Sequence, residues 1–101
     1  EKYHKPIFIT ENGLADASDD FRKNWLARTM LAMQQARDAG VDLVGYLHWS
    51  LLDNFEWDKG FWPRFGLFEV NYATFARKPR SSAVWFAKFL KQQKENNDGK
   101  R

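Results

Sequence analysis

A carboxylate and a set of large rings are the residues of this 101-residue chain that could do chemistry. Glu11 follows a short apolar run at residues 6–10, and Trp49 closes a second run at residues 43–49. If both runs are parallel strands, their carboxyl ends meet at one edge of the sheet, where ligands bind in α/β folds. Glu11 is therefore a candidate nucleophile or general base beside an aromatic wall. The plainer interpretation is that its carboxylate caps or salt-bridges a loop.

A second candidate site lies in the segment 51–58, where acidic and amide side chains alternate with large rings. A pyranose presents apolar C–H faces that stack on an indole, and hydroxyl groups that pair with a carboxylate. Glu56 and the adjacent Trp57 meet both demands, so the segment is typical of a sugar-binding loop. The alternatives are core packing for Trp57 and a surface ion pair for Glu56.

The acidic residues of that segment do not predict a metal site. Asp53, Glu56 and Asp58 match neither the spacing of a calcium loop nor a His-rich zinc pattern, and the chain has no cysteine. His48 lies inside the second apolar run, where a hydrogen-bonded core imidazole is expected rather than a catalytic base. We expect no metal and no cofactor.

Charge and hydropathy exclude two classes of partner. The formal net charge is +3, and half of the 16 Lys and Arg residues lie in the last quarter of the chain. No recognised nucleic-acid motif accompanies them, so a solvated helix and tail is expected rather than a nucleic-acid surface. No apolar run approaches the roughly 20 residues that a membrane span requires. Neither nucleic acid nor a membrane is an expected partner.

The elements that position Glu11 and Trp49 form a strand, a helix and a second strand. Residues 6–10 are continuously apolar after a proline, which is typical of a strand buried on both faces. Apolar residues then recur at steps of three and four across residues 20–39, and Gly40 follows as a helix terminator. A strand over residues 43–49 completes the unit.

The second half of the chain begins with a long aromatic segment, residues 50–80, which includes a candidate hairpin at 66–72. A helix is predicted from Ser81 or Ser82 to about Gln93, with Ala83, Phe86 and Leu90 on one face. Two strands and two helices cannot cover both faces and both edges of a parallel sheet. Further strands must come from outside these 101 residues.

Three motifs resemble those of the family 1 glycoside hydrolases, the β-glucosidases, β-galactosidases and their relatives. Ile9-Thr10-Glu11-Asn12-Gly13 resembles the nucleophile motif, and Trp49-Ser50-Leu51-Leu52-Asp53-Asn54-Phe55-Glu56-Trp57 resembles the sugar-binding loop. Arg64-Phe65-Gly66-Leu67 follows in the expected order. The likeness extends from about Lys5 to Leu90.

The resemblance implies an α/β fold, the C-terminal part of a TIM (β/α)8 barrel that comprises about its last two β/α units. Residues 1–93 would be this incomplete segment of the catalytic domain, and residues 94–101 would be a disordered tail. The family's habits and the lack of cysteine favour a cytoplasmic location. The implied substrate is a β-glycoside or an oligosaccharide, hydrolysed at its terminal β-D-glycosidic bond by the retaining double-displacement mechanism.

The resemblance also implies a role for five residues. Glu11 would be the nucleophile, Glu56 would hold two hydroxyls of the sugar, and Trp57 would bond a neighbouring hydroxyl. Trp49 would stack near the sugar, Phe65 would line the far wall, and the peptide after Trp49 would be cis.

One catalytic group of that family is absent from this sequence. The family's acid/base glutamate lies in an Asn-Glu-Pro motif, which does not occur here. Activity would then require the N-terminal remainder of the barrel, because retention needs two carboxyl groups. The alternatives are a non-catalytic carbohydrate-binding fragment and a structural half-barrel module.

Overall fold

The computed structural model describes residues 3–99, which form two small sheets and two long helices. In chain order the elements are β1 (Ile7–Ile9), α1 (Arg22–Asp38), β2 (Leu43–Tyr46), a 3₁₀ turn (Trp57–Lys59), β3 (Phe68–Val70), β4 (Arg77–Pro79) and α2 (Ser81–Asp98). The first three elements confirm the predicted strand–helix–strand unit. No helix among these residues is both long and apolar enough to cross a lipid bilayer.

The strands β1 and β2 pair in parallel, as predicted, with Ile9 opposite Tyr46. Both are shorter than predicted, because the hydrogen bonds beyond them become irregular. The Leu47 N–H still donates to the Ile9 carbonyl at 2.8 Å, but the next bond in this direction joins the Trp49 N–H to the Asn12 carbonyl. The two chains therefore stay together past the ladder, toward the candidate site.

The helix α1 begins two residues later than predicted, because an aspartate upstream satisfies its free amides. Asp16 Oδ2 accepts hydrogen bonds from the backbone N–H groups of Phe21 at 2.9 Å and Arg22 at 3.1 Å. The helix ends before Gly40, whose φ of +96° lies in the left-handed region that glycine adopts without strain. The predicted terminator is confirmed.

The helix α2 begins at Ser81, as predicted, and Asp19 caps it from a distant loop. The Asp19 carboxylate accepts from the Ser82 N–H at 2.9 Å and from both serine hydroxyls. The helix continues to Asp98, where the prediction had an end near 93 and a disordered tail over 94–101. Its last turns are rich in unbranched Lys, Gln and Glu, which favour helix. Lys100 and Arg101 lie outside the described residues.

The predicted hairpin at residues 66–72 is partly right. Its first strand is β3, but the partner is β4, which pairs with β3 in an antiparallel arrangement. A longer turn separates the two strands, because the Asn71 side chain accepts from the N–H groups of Ala73 and Thr74 and holds the intervening backbone. The second strand therefore starts later than the sequence pattern indicates.

A cluster of rings joins both helices to β2. The His48 ring makes edge-on contacts with Trp25 and Phe86, with ring centroids 6.2 Å apart in each case. Leu26 of α1 is fully buried. On α2, Ala83 and Phe86 of the predicted apolar face are buried. Leu90 of the same face is half exposed, because it lines an open groove of about 520 Å³ between the two helices.

The parallel pair β1–β2 has large apolar side chains in solvent. Ile7, Phe8, Val44 and Leu47 are each roughly half exposed. A two-stranded parallel sheet is unusual, because such sheets are normally covered on both faces. Residues 3–99 therefore leave apolar surface of the β1–β2 pair uncovered.

Candidate active site

The loop after β1 and the segment after β2 are in direct backbone contact. The Asn12 carbonyl accepts a hydrogen bond from the Trp49 N–H at 2.8 Å. A Cβ atom placed on Gly13 would lie 1.7 Å from the Trp49 carbonyl oxygen, so only glycine allows this approach. Glu11, one residue before Asn12, is thereby held beside Trp49 at the carboxyl ends of the two parallel strands.

The third motif joins the same site through Ser50. The Ser50 N–H donates to the Phe65 carbonyl at 3.2 Å, and the Leu67 N–H donates to the Ser50 carbonyl at 2.9 Å. The peptide between Trp49 and Ser50 is cis, as the resemblance implied. The segments that carry Glu11, Trp49 and Phe65 are therefore brought together.

Glu56 and Trp57 lie on the turn that follows these segments. The Glu56 N–H donates to the Gly60 carbonyl at 2.7 Å, and Trp57 has a φ of +48°, in the left-handed region. Trp57 is 81% exposed and Glu56 is partly buried. Within the described part of the chain, neither side chain forms a hydrogen bond or an ion pair, so both are available to a ligand.

Tyr46 and His48 fix the asparagine next to Glu11. The Tyr46 hydroxyl lies 3.1 Å from Asn12 Oδ1 and 3.0 Å from His48 Nδ1. Burial raises the pKa of Tyr46 to about 12, so the hydroxyl keeps its proton at neutral pH. Burial, together with the Arg22 charge, lowers the pKa of His48 to about 4. The expectation of a hydrogen-bonded core imidazole is confirmed at Nδ1, whereas the buried Nε2 has no partner among residues 3–99.

Asp53 is the most heavily bonded carboxylate of the sugar-loop motif. Its oxygens accept from Arg64 at 2.9 Å, from both terminal nitrogens of Arg80 at 2.9 and 3.1 Å, and from the N–H groups of Gly66 and Val70. Burial opposes ionisation, but these hydrogen bonds outweigh it and hold the pKa of Asp53 below its ordinary value. The carboxylate is thus occupied by the protein itself. No group of three or more acidic or histidine side chains in the described ranges could hold a metal ion.

Arg22 makes a second buried cluster behind the loops. Its Nη2 donates to the carbonyls of Leu14, Asp16 and Arg64, and its Nη1 pairs with the Asp19 carboxylate. The side chain is fully buried. Arg22 therefore connects the loop after β1 to the segment that precedes Phe65.

Sequence reasoning did not find Arg22, Arg64, Arg80 or Tyr46 as site-supporting residues. One signal for Arg22 was available: it lies four residues before the buried Leu26, so helical periodicity puts a guanidinium on the buried face of α1. No comparable signal marks Arg80, which lies 27 residues from its partner Asp53.

Comparison with known proteins gives the family. The model of glycosyl hydrolase family 1 matches residues 1–95. Similar proteins include a β-glucosidase 42 of Arabidopsis thaliana, 46% identical over 99% of this chain and 23% of its own length. A β-galactosidase of Pyrococcus woesei is 46% identical over 82% of this chain and 16% of its own length. The chain thus spans about a fifth of the relatives that it matches.

A solved structure shows the same relationship in three dimensions. The hyperthermophilic β-glucosidase from Pyrococcus furiosus superposes with a TM-score of 0.88 and 46% identity, over 90% of this chain and 19% of that one. Such relatives are (β/α)8 barrels. This chain corresponds to their last two β/α units, and residues 3–99 do not form a closed barrel. The chain belongs to glycosyl hydrolase family 1.

Proposed function

We propose that this chain supplies one part of the active site of a retaining β-glycosidase, with β-glucosidase-like hydrolysis of terminal β-D-glycosidic bonds. The main support is the backbone contact between the Glu11 loop and the Trp49 segment. This contact places a carboxylate near a large aromatic side chain at the carboxyl ends of the parallel strands. The names of the similar proteins, β-glucosidase and β-galactosidase, support this reaction class.

In the first step of the proposed mechanism, a Glu11 oxygen attacks the anomeric carbon of the β-glycoside. The bond from that carbon to the leaving oxygen breaks, and a second carboxylic acid gives its proton to the leaving group. In the second step that group takes a proton from water, the water attacks the anomeric carbon, and Glu11 is released. Glu11 fits the nucleophile because it is exposed and makes no ion pair among the described residues.

Four residues would hold the sugar. Glu56 would accept hydrogen bonds from two hydroxyls and Trp57 would donate one, while Trp49 and Phe65 would contact the apolar faces of the ring. The free side chains of Glu56 and Trp57 and the shared backbone contacts of Trp49 and Phe65 support this assignment.

The second carboxyl group would come from the N-terminal remainder of the barrel. Ile7, Phe8, Val44 and Leu47 expose apolar surface at the edge and face where neighbouring strands would pack. The partial coverage of every relative reported above supports the same division. We call this chain together with that remainder the assembled protein. Its cytoplasmic location stays a prediction.

The test is a pair of glutamate-to-glutamine variants of the assembled protein, measured on an aryl β-glucoside. Glu11→Gln removes the proposed nucleophile and should lower kcat by on the order of 10³-fold or more. Glu95→Gln, at an exposed position near the end of α2, makes the same chemical change away from the site and should keep kcat within about twofold. Equal activity of the two variants would refute Glu11 as nucleophile, and sugar binding without turnover in the parent would favour a carbohydrate-binding fragment.

A further inference from the structure

Asp53 is buried and fully engaged, yet it lies in the middle of the segment proposed to bind sugar. Its side chain has no exposed area. Oδ1 accepts from Gly66 N–H and Arg80 Nη1, both at 2.9 Å, and Oδ2 accepts from Arg64 Nη1 at 2.9 Å and Val70 N–H at 3.1 Å. A buried carboxylate with this many donors is held in a single orientation.

Each arginine partner also donates to the carbonyl of a residue whose N–H group donates to Asp53. Arg64 Nη1 donates to the Val70 carbonyl at 2.7 Å, and Arg80 Nη1 donates to the Gly66 carbonyl at 2.7 Å. Gly66 itself has no room for a side chain, because an added Cβ would lie 2.3 Å from the Asp53 nitrogen. Asp53 therefore locks its own segment against residues 64–70, which include Phe65.

The turn that carries Glu56, residues 56–60, has no buried ion pair of its own among the described residues. Its backbone bonds are local: the Glu56 N–H reaches Gly60, and the Lys59 N–H returns to Glu56. The Glu56 side chain makes no bond to any other described residue. Two residues link the turn to Asp53: Asn54, whose Nδ2 donates to Ser50 Oγ at 3.0 Å, and Phe55, whose ring contacts Phe61. The position of Glu56 relative to Trp49 and Phe65 is therefore set by Asp53 together with these two contacts.

We infer that Asp53 is a positioning residue for substrate, which holds Glu56 at the distance from Trp49 and Phe65 that the sugar requires, through its ion pairs with Arg64 and Arg80. The inference rests on the proposed function and deepens it. Asp53 does not touch the sugar, because the protein's own donors occupy both of its oxygens. Its effect on the reaction is carried by Glu56.

The experiment compares Asp53→Asn with Asp58→Asn in the assembled protein. Both variants change an aspartate to its amide within the same segment, but Asp58 is exposed and its nearest cation, Lys59, is 3.8 Å away. The readout is discrimination: kcat/KM for an aryl β-glucoside divided by kcat/KM for analogues that each lack one hydroxyl. In the parent, loss of a hydroxyl bound by Glu56 should reduce kcat/KM by about tenfold or more.

We expect Asp53→Asn to lower this discrimination to about threefold or less. A displaced Glu56 no longer forms hydrogen bonds with the hydroxyl, so an analogue that lacks the hydroxyl loses little. Asp58→Asn should discriminate like the parent. If Asp53→Asn does not fold, Arg64→Lys takes its place: it keeps the carboxylate but removes the planar guanidinium, and it should lower discrimination in the same direction.

Two results would overturn the inference. In one, Asp53→Asn leaves the discrimination unchanged. Either kcat/KM falls equally for the glucoside and all analogues, as expected for a purely structural residue, or none of the values changes. In the other, the parent neither hydrolyses the glucoside nor reacts at Glu11, which contradicts the proposed function and removes the inference with it. An active parent with unchanged discrimination in the variant contradicts the role of Asp53 alone.

Discussion

His48 is a neutral imidazole inside the ring cluster between α1, β2 and α2. Burial and the nearby Arg22 charge lower its pKa to about 4, while a histidine in the unfolded chain titrates near 6.5. Between these two values the unfolded chain binds a proton that the folded protein does not. The stability linked to His48 is therefore fully present above about pH 6.5 and is lost as the pH falls toward 4.

Replacing His48 by phenylalanine tests this linkage in the assembled protein. His48→Phe should remove up to one proton from the uptake on unfolding, which reduces the pH slope of the unfolding free energy by up to about 1.4 kcal/mol per pH unit between pH 4 and 6.5. Above pH 7 the two slopes should coincide, which serves as the internal control. Denaturant unfolding at a series of pH values measures both, and a variant with the parent's slope at low pH would show that His48 titrates normally.

Asp53 and Asp58 show how far single residues could be predicted from sequence. Both are aspartates in an aromatic, acidic segment, and residue type alone does not separate them. One is fully enclosed by two arginines and two amides, and the other is exposed. The difference arises from Arg64 and Arg80, which lie 11 and 27 residues further along. Spacing within the segment therefore indicates sugar binding but carries no information about these anchors.

At the scale of the elements, Asp19 joins the starts of both helices. Its carboxylate pairs with Arg22 in the first turn of α1 and accepts from Ser81 and Ser82 in the first turn of α2. Burial opposes its ionisation, but the serine and arginine hydrogen bonds prevail and lower its pKa. Asp19 also has a φ of +64°, which aspartate and asparagine tolerate better than other side chains.

Asp19→Asn keeps this backbone conformation and removes the charge from a buried pair. We expect it to destabilise the assembled protein by about 3 kcal/mol, since it leaves the buried Arg22 guanidinium without its carboxylate. Asp20→Asn, one residue later and exposed, should cost less than about 0.5 kcal/mol. Thermal or denaturant unfolding of the two variants measures the contrast. Equal stability of the two would mean that Asp19 does not connect the helices.

The contact between the β1 loop and the β2 segment depends on Gly13. Gly13→Ala should push the Glu11 loop away from Trp49, because the added carbon would overlap the Trp49 carbonyl. We expect a loss of about 1–3 kcal/mol in stability and a loss of kcat/KM of about tenfold or more.

Gly40→Ala is the matched control for that substitution. It introduces strain at a positive φ but has open space around the new carbon, so it should cost about 1 kcal/mol and leave kcat/KM within about twofold. Parallel measurements of unfolding and of aryl glucoside hydrolysis separate the two effects. Undiminished turnover in Gly13→Ala would show that this approach is not needed for activity.

Helix α1, the start of α2 and the parallel pairing could be predicted, whereas the strand ends and the end of α2 could not. Apolar residues at steps of three and four, with Gly40 after them, locate α1 to within two residues at either end. The extent of β2 depends instead on Asn12 and Phe65, which supply the hydrogen bonds of residues 49 and 50 from distant parts of the chain. Local pattern therefore identifies the element, and long-range pairing decides where it stops.

At the scale of the whole molecule, the proposed N-terminal remainder of the barrel would cover the exposed apolar side chains of β1–β2. Val44→Asp should weaken association with the N-terminal remainder and lower activity by about tenfold or more, because it places a charge where apolar strands would pack. Leu31→Asp on α1 is the matched control, since the two side chains are exposed to nearly the same extent, 57% for Val44 and 58% for Leu31. Reconstitution followed by size-exclusion chromatography and activity measures the difference. Equal effects at both positions would locate the partner elsewhere.

Covalent trapping of the nucleophile shows whether Glu11 carries out the proposed first step. The assembled protein is incubated with a 2-deoxy-2-fluoro glucoside that has a good leaving group. Mass spectrometry then gives the intact mass of each chain, and peptide sequencing locates the label. If Glu11 is the nucleophile, this chain gains one fluoroglucosyl group, located on Glu11, and the Glu11→Gln variant gains none. A label on another carboxylate, or none in a preparation that hydrolyses glucosides, would contradict this role of Glu11.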